Sequence, residues 1–596
     1  MKRILLPALA LSIFTFTGCT DDDSACDTTI WYLDSDGDGL GDPAKEINAC
    51  EKPEGYVDNA NDDDDTDFCE ATTWYEDKDG DGLGNPDISQ QSCVQPEGYV
   101  TNADDVIDNT AVNFEHLSSI DIGGAASAEI SAYDPATKKL FVTNSEKGGI
   151  TVVDLSDPAN PTEITAEFLA VGTANSVAVK DGKLAIAVEN ANKQNNGKVV
   201  VYGTSNLNAP TEYTVGALPD MVTFTPDGKF ILVANEGEPN SDYTVDPEGS
   251  VSVINLLTGT VQNAGFTSFN NQVSNLRASG FRVFGPGATL AMDVEPEYIA
   301  VSEDSATAWI TLQENNGMAK LDIATATITE IYPFGFKNFA SGRNKLDASN
   351  KDDVTELKNW PVFGIYMPDA ISHFTANGVG YLISANEGDS RDYDGYSEEE
   401  RIKDIVLDKN AFNGFGVDFL QKDENLGRLK ITTANGDIDG DGDYDVLYSY
   451  GARSFSIWSE SGALVYDSGD EIARKNLEFA PQYFNLDNED DATSLTDGKK
   501  DGRSDDKGAE PESTAILNLG GERQIAVIGL ERVSALMIYD VTNPGTPVFL
   551  QWLQRDTDVA PEGLLTVFRA DSPNGRDLII ASHEASGTVS IYQNNN

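Results

Sequence analysis

The sequence predicts an all-β chain: a single large β-propeller of seven or eight blades, preceded by a small repeat module held by disulfides and calcium. Three observations carry that expectation. From Phe114 onward, short runs rich in Val, Ile, Tyr and Thr are punctuated by Gly, Asn and Asp-Pro turns, with little helical periodicity. One hairpin unit recurs along that region. Ahead of it lie two matching acidic loops flanked by cysteines.

The recurring unit is a first strand, a tight turn, a second apolar strand ending in a polar tip, and a third strand. "AEISAYDPATKKLFVTNSEKGGITVVDL" is its clearest example. Eight such hairpins are counted, the later ones including "DVLYSYGARSFSIW", "QIAVIGLERVSALMIYDV" and "DLIIASHEASGTVSIY". Antiparallel units repeating every 45 to 80 residues are what a propeller stacks around its axis, each four-stranded blade packing on its neighbours. A β-sandwich array has no reason to share one recurring tip. Seven blades remain an alternative, because long insertions distort the fifth and sixth units. One insertion, "DNEDDATSLTDGKKDGRSDDKGAEPE" (near 485–512), is too polar to pack, and predicts either a mobile flap over the channel mouth or a segment ordered by metal.

Charge narrows the partners. The 596 residues include 100 acidic and 40 basic side chains, a formal charge of −60, while a hydrophobic fraction of 39% suffices for a buried core. Such a surface repels phosphate backbones and anionic lipid, which excludes nucleic acid and favours cations. Residues 20–110 alone hold 27 Asp and Glu against 3 Lys, so they form a unit apart from the propeller of residues 111–596.

"MKRILLPALALSIFTFTGC" has a basic start, an apolar run too short to span a membrane permanently, and small residues before Cys19. Residues 1–18 read as a signal peptide. The ending resembles a lipobox, which implies lipidation of Cys19 and anchoring in outer-membrane lipid. "TDDDS" in the tether 19–25 resembles the export signal of Bacteroidota surface lipoproteins, which implies a chain facing the cell exterior, with other envelope proteins or an extracellular polymer as partners. The four remaining cysteines, Cys26, Cys50, Cys69 and Cys93, predict two disulfides outside the cytoplasm. Repeat symmetry favours Cys26 with Cys50 and Cys69 with Cys93, and Cys50 with Cys69 is the alternative.

Residues 26–110 form a tandem duplication with a period of 43: "TTIWYLDSDGDGLGDP" matches "ATTWYEDKDGDGLGNP". Carboxylates at the first, third and fifth loop positions converge on one cation, and Gly39 and Gly82 supply the sharp turn. The expected Ca2+ ligands are Asp34, Asp36, Asp38, the Leu40 carbonyl and Asp42, then Asp77, Asp79, Asp81, the Leu83 carbonyl and Asn85. Lys45 and Ile88 stand where an EF-hand has its bidentate Glu, and Pro43 and Pro86 preclude the second helix. The loops therefore resemble thrombospondin-type-3 repeats completed by other acids, with Asp58 and residues 62–65 as candidates. A third loop, "DIDGDGDYD", offers Asp437, Asp439, Asp441, Asp443 and Asp445 around Gly442.

The hairpins also place acids in register. The first strands begin at Glu129, Asn175, Asp220, Glu297, Asp369, Glu512 and Glu562, often after Pro. The second strands end near Glu146, Glu189, Glu236, Glu314, Glu387, Glu531 and Glu584. Innermost strands line a propeller's channel, so equivalent positions form rings. Acidic rings raise their own pKa values and invite a cation. Arg391, Arg453 and Arg532 sit at similar tips, where they neutralise part of the ring or grip an anion.

"ILVANEGEPNSDYTVDPEGSVSVI", "EPEYIAVSEDSATAWITLQENN", "ISANEGDSRDY", "GARSFSIW", "RSDDKGAEPE" and "IGLERVSALMIYDVTNP" together resemble the choice-of-anchor I family, over residues 118–593. "LFVTNSEKGGITVVDL" is similar to YVTN-type propeller repeats. The resemblance implies an extracellular propeller, associated in animal relatives with calcified matrix, and brings no settled catalytic mechanism.

Only three His exist and no GxSxG, P-loop or GxGxxG follows a strand, so acyl transfer and nucleotide chemistry have no support. The expected function is that of a surface-tethered, calcium-binding scaffold. The alternative is a calcium-dependent phosphoesterase at the channel mouth, with Glu236, Glu387, Arg391, Arg453, Glu531, Arg532 and Glu584 as candidate catalytic groups and His583 as a conceivable acid.

Overall fold

In the segments "KLFVTN", "FILVAN", "TAWITL" and "LIIASH" the apolar runs are continuous rather than alternating. That pattern suits a strand covered on both faces, and these segments are buried almost throughout. Stacked blades provide such cover. The computed structural model describes the chain outside residues 1–27, 38, 62–71, 79–83, 87, 93, 104–111, 126, 489–491 and 521–522. The chain divides into two compact units, residues 1–110 and 111–596.

Among the described residues, the larger unit is a β-propeller of seven four-stranded antiparallel sheets. The first strands of blades 1 to 7 are Ser131–Asp134, Ala174–Lys180, Pro219–Phe224, Pro296–Val301, Ile371–Ala376, Pro511–Asn518 and Pro561–Val567. The hairpin count of eight is thereby corrected to seven. "GARSFSIW" is no separate unit: its strand Ser454–Ser459 pairs with Val379–Asn386 as the third strand of blade 5. Residues 387–453 intervene between those two strands, and that separation disguises them as two hairpins. With residues 334–370, this insertion builds its own apolar core around Phe339, Trp360, Phe412, Leu429 and Leu447.

Blade 7 is completed from the other end of the 111–596 unit. Phe114–Asp121 pairs antiparallel with Thr588–Asn594, so the first strand of the unit becomes the outer strand of its last blade. Phe114 is fully buried with Leu517, Ile538, Ile579 and Tyr592 between blades 6 and 7. The Gln551 side chain receives the Phe114 N–H at 2.9 Å and donates to its carbonyl at 2.6 Å.

The polar insertion near 485–512 does pack, against expectation. Leu495 and Leu486 are buried with Val559 and Ala560, and the Asp487 and Lys499 backbones bridge. Its apolar residues are few, but Leu486, Ala492 and Leu495 share one cluster, which composition alone does not reveal.

In the smaller unit the duplication is visible bond by bond. Thr29–Leu33 lies between Glu46–Ala49 and Tyr56–Val57, and Thr72–Glu76 lies between Ser89–Ser92 and Tyr99–Val100. Trp31 Nε1 donates to Ala49 O at 3.3 Å, and Trp74 Nε1 to Ser92 O at 3.0 Å. Cys50 is disulfide-bonded. Cys19, Cys26, Cys69, Cys93, Asp38, Asp79, Asp81 and Leu83 lie outside the described residues.

Two substitutions test this architecture. Phe114→Ala empties a buried site at the closing blade, and is expected to cost about 3–5 kcal/mol in denaturant unfolding of the 111–596 unit. In the smaller unit, a Cβ on Gly41 meets Tyr32 Cβ at 2.5 Å and Asn59 O at 2.6 Å, and one on Gly84 meets Tyr75 Cβ at 2.4 Å and Asn102 O at 2.5 Å. Gly41→Ala or Gly84→Ala is therefore expected to destabilise its own repeat by about 1–3 kcal/mol, read by near-UV circular dichroism of Trp31 or Trp74. An unchanged unfolding profile would refute either contact.

Candidate cation-binding channel

The first strands lose register at one recurring place: between Ala174 and Ser176, Pro219 and Val222, Pro296 and Ile299, Pro511 and Thr514, and Pro561 and Gly563. Each interval holds the polar residue expected to face the axis, namely Asn175, Asp220, Glu297, Glu512 or Glu562. A bulge bends its strand and re-aims a side chain, and proline suits a strand's first residue because it has no N–H to leave unpaired. The preceding residues Leu218, Met367, Glu510 and Ala560 take left-handed φ of 47°, 43°, 51° and 60°. Such strain costs on the order of 1 kcal/mol each. It turns their carbonyls toward the neighbouring strand tips. Leu218 O accepts from Glu236 N at 3.0 Å, Glu510 O from Glu531 N at 2.8 Å and Ala560 O from Glu584 N at 2.8 Å. One backbone motif thus fixes an acid of each ring within a blade.

Blade 1 departs from the pattern. Glu146 is exposed and accepts from Gly124 N and Ser127 Oγ, which hold its carboxyl below the usual range. Ser145 is the inward residue there, donating to Glu129 Oε1 at 2.9 Å.

The remaining acids crowd together. Burial raises Glu129 to about 7 against its hydrogen bond from Ser145, Asp220 to about 7, Glu314 to about 7 and Glu531 to about 8. Burial, then repulsion from neighbouring carboxylates, lifts Glu236, Glu297, Asp369, Glu512 and Glu562 well above the carboxylate range. Glu297, Glu314 and Glu512 are 7%, 7% and 8% exposed, and each keeps a buried Oε2 with no hydrogen-bond partner. An unmet buried acceptor costs about 1–3 kcal/mol, more when charged.

One sector carries its own cations. Lys507 pairs with Glu387 and lies 3.5 Å from Glu510 Oε2, while Arg503 Nη2 and Arg532 Nε reach Glu510 at 2.6 and 3.3 Å. Burial alone would raise Glu510, but Lys507, Arg503 and Arg532 together hold it at about 2. Lys507 and Arg503 come from the polar insertion, so side chains of the protein itself supply the cations there. Beside them, one oxygen each of Glu387, Glu512 and Glu531 lies within 4.8 Å of the other two, a spacing suited to one metal ion.

The three arginines expected near the mouth are occupied. Arg391 is buried 2.9 Å from Asp293 and 3.0 Å from Glu295, and its guanidinium lies 4.6 Å from the Phe284 ring centroid. Arg453 donates to the Asp347 and Ser504 carbonyls, both at 2.9 Å, tying two insertions together. Arg532 bridges Glu510 and Glu531 and donates to Asn488 O. Arg391 and Arg532 offset ring charge, and none of the three presents an open fork to a phosphate.

The opposite sector keeps a cavity of about 390 Å³. Glu129, Asp220, Glu236, Asp369 and Glu562 line it, with Tyr298 and Met221 as its apolar wall and Lys193 as the basic residue.

His583 is structural. It is 2% exposed, its Nε2 pairs with Ser590 Oγ at 2.7 Å, and burial lowers its pKa to about 4. The same register holds Asn144 with Thr151, Asn235 with Ser252 and Asn386 with Ser456 at 2.8–3.0 Å, so His583 replaces the asparagine of other blades. That Asn–Ser/Thr pairing was readable in the repeats as "TNSE", "ANEG" and "SHEA", each followed by a Ser or Thr on the third strand.

The acidic loops share one wrap. Asp34 Oδ1 accepts from Gly37 N at 2.8 Å and Oδ2 from Gly39 N at 3.3 Å; Asp437 accepts from Gly440 N at 2.7 Å and Gly442 N at 3.1 Å. The loop at Asp437 offers two cation sets: Asp437, Asp439 and Asp445, and Asp408, Asp443 and Asp445. Asp408, 29 residues before Asp437 in sequence, and Lys507 were not legible as site residues; for Lys507 the hint was four basic residues, Lys499, Lys500, Arg503 and Lys507, inside an acidic insertion.

Comparison with known proteins places this geometry in a family. Residues 129–544 match the choice-of-anchor I domain. Gigasin-3a of Magallana gigas is 32% identical over 191 residues, 29% of this chain and 66% of its own length. The mesenchyme-specific cell surface glycoprotein of Strongylocentrotus purpuratus is 27% identical over 337 residues, 51% of this chain and 41% of its own length. The chain thus spans less than two thirds of either relative. Among solved structures, Kuenenia stuttgartiensis hydrazine synthase overlaps 79% of this chain and 96% of its own at 13% identity and a TM-score of 0.42, and the Myceliophteria thermophila Cps50 (Swd1) β-propeller domain overlaps 80% and 99% at 9% identity and 0.39. Likeness of that strength adds nothing to the strand topology. The matched family domain, covering most of the chain and every blade's first strand but the last, makes this protein a member of the choice-of-anchor I domain family.

Proposed function

We propose that the protein is a surface-associated binding protein whose ligand site is the acidic axial channel and whose structural cofactor is Ca2+. One observation carries the reading: buried, mutually repelling carboxylates with unmet oxygens converge where the blades meet, and an insertion already sends Lys507 among them. Such a site selects positive charge. Glu387, Glu512 and Glu531 would hold one Ca2+, and the loops at Asp34, Asp77 and Asp437 would hold others, bracing the repeats and the blade 5 insertion. Lipidation of Cys19 would tether the chain in the outer membrane, facing outward. No helix of the described residues is long and apolar enough to cross a membrane. Other envelope proteins or an extracellular polymer are the proposed partners. The name of one animal relative, a mesenchyme-specific cell surface glycoprotein, suits a surface role. The hydrolase reading is not adopted, because a phosphate would find Arg391, Arg453 and Arg532 occupied.

Calorimetric titration of the full chain with Ca2+ tests this. Binding is expected in at least two classes, with dissociation constants about 10⁻⁴–10⁻³ M for the loops, as in extracellular calcium modules. Glu512→Gln should remove one class and Asp437→Asn another. A calcium isotherm unmoved by Glu512→Gln would remove the metal from the channel.

Stability should also follow pH. Glu129, facing Ser145, Glu584, Asp220 and Glu189, and Asp220, facing Glu238 and Lys193, titrate near 7 when folded and near 4 when unfolded. Their raised values favour the folded state below about pH 4, a contribution lost as pH rises through about 7. His583 acts in the opposite sense, losing stability as pH falls from about 6.5 toward 4. The acids outnumber it, so without calcium the melting temperature is expected to fall between pH 5 and 8. Glu129→Gln with Asp220→Asn should flatten that slope in differential scanning calorimetry.

A further inference from the structure

Of the channel's two sectors, one is neutralised by Lys507, Arg503 and Arg532 and the other is not. The open sector holds the cavity of about 390 Å³, lined by seven carboxylates against the single Lys193. Lys193 leans outward: its ammonium lies 3.6 Å from Glu189 and its side chain is 54% exposed. No protein donor hydrogen-bonds the carboxylates of Asp220, Glu236, Asp369 or Glu562 among the described residues, whereas Glu129 and Glu238 receive Ser145 and Tyr393 hydroxyls. Those four half-buried acids come from blades 3, 5 and 7, on different sides of the axis. Glu297, whose carboxyl feels the charges of Asp369, Glu236 and Asp220, is more than nine-tenths buried and its Oε2 also lacks a partner.

Volume decides between ligand classes. Water's share of liquid volume is about 30 Å³, so this space holds roughly a dozen waters, far more than one bare ion displaces, and it lies in the range of small-molecule sites. A single charge at one wall leaves the acids of the other walls unmet. The wall also presents Tyr298 and Met221, surfaces that suit methylene groups and an ammonium over an aromatic face.

We propose that this cavity binds an organic dication: an aliphatic chain carrying two or more ammonium groups, with Asp220 and Glu236 gripping one end and Asp369 and Glu562 the other. The proposal rests on the reading of the channel as a cation site and adds the ligand's chemical class. Two sources share that chemistry, a free polyamine and adjacent lysines of a partner protein.

Isothermal titration of the full chain with spermidine, with lysyl-lysine amide, and with Ca2+ alone separates the outcomes. Saturable amine binding is expected at moderate salt, weakened at least about tenfold by Asp220→Asn and by Glu236→Gln, and unchanged or tightened by Lys193→Gln. Each acid-to-amide variant keeps its shape and removes a buried charge, and its melting temperature, expected to equal or exceed the parent's, shows that it folds. Spermidine bound in preference to the dipeptide supports a free polyamine, and the reverse supports a lysine-bearing partner. Calcium binding without amine binding overturns this inference and leaves the channel's metal site standing. Amine affinity indifferent to Asp220→Asn and Glu236→Gln overturns it as well, and the absence of any cation binding overturns both readings.

Discussion

Like charges forced together at a closed axis constrain everything else in this molecule. A propeller brings the inner end of every blade to one place, and here most blades bring carboxylates. At an effective dielectric of about 20, two such charges 4 Å apart repel by about 4 kcal/mol, so the crowded acids cannot all stay ionised and unpaired. Three remedies are available: protonation, a bound cation, or a cation brought in by the chain. The protein uses the last around Glu510, through Lys507, Arg503 and Arg532, and at Glu295, through Arg391, and leaves Asp220, Glu236, Asp369 and Glu562 to the first two.

The scaffold that tolerates this crowding is rigid where it must be. Middle strands are buried on both faces, and the Asn–Ser/Thr pairs at Asn144, Asn235 and Asn386 satisfy polar atoms in the dry space between second and third strands. The left-handed residues before Pro219, Pro511 and Pro561 store strain that the closed ring holds in place, and each aims a carbonyl at the acid's own N–H. Closure of blade 7 by Phe114–Asp121 links the channel's geometry to the start of the domain. A defect far from the axis therefore reaches the acids through the ring, because no blade is free to relax outward alone.

Polar insertions carry the adaptation. Residues 387–453 and 487–510 look dispensable by composition, yet they build the core around Trp360 and Leu429, deliver Lys507 to the mouth, and are tied together by Arg453. Their charged residues serve as internal counter-ions rather than as a solvated surface. The acidic loops, by contrast, are local devices: the same Asp-to-Gly wrap appears at Asp34 and at Asp437 because three-residue and five-residue spacings fix it wherever it occurs.

Periodicity and spacing are local properties, and they determined the all-β repeat, the tandem duplication, the acidic DxDxDG loops and the recurrence of acids near the strand ends. A hairpin carries its own register, so the place of most of these acids in their blades was readable from residues nearby, Glu146 of blade 1 being the exception. What joins distant segments was decided only by tertiary structure. Blade 5 takes its third strand from beyond residues 387–453, so hairpin counting gave eight units where seven exist. Arg391, Arg453 and Arg532 look available in sequence and are occupied by carboxylates and carbonyls far along the chain, and Lys507 finds Glu387 across 120 residues. Charge pairing at short range depends on which side chains the closed ring brings within a few ångströms, and that distance is set by packing and not by spacing along the chain.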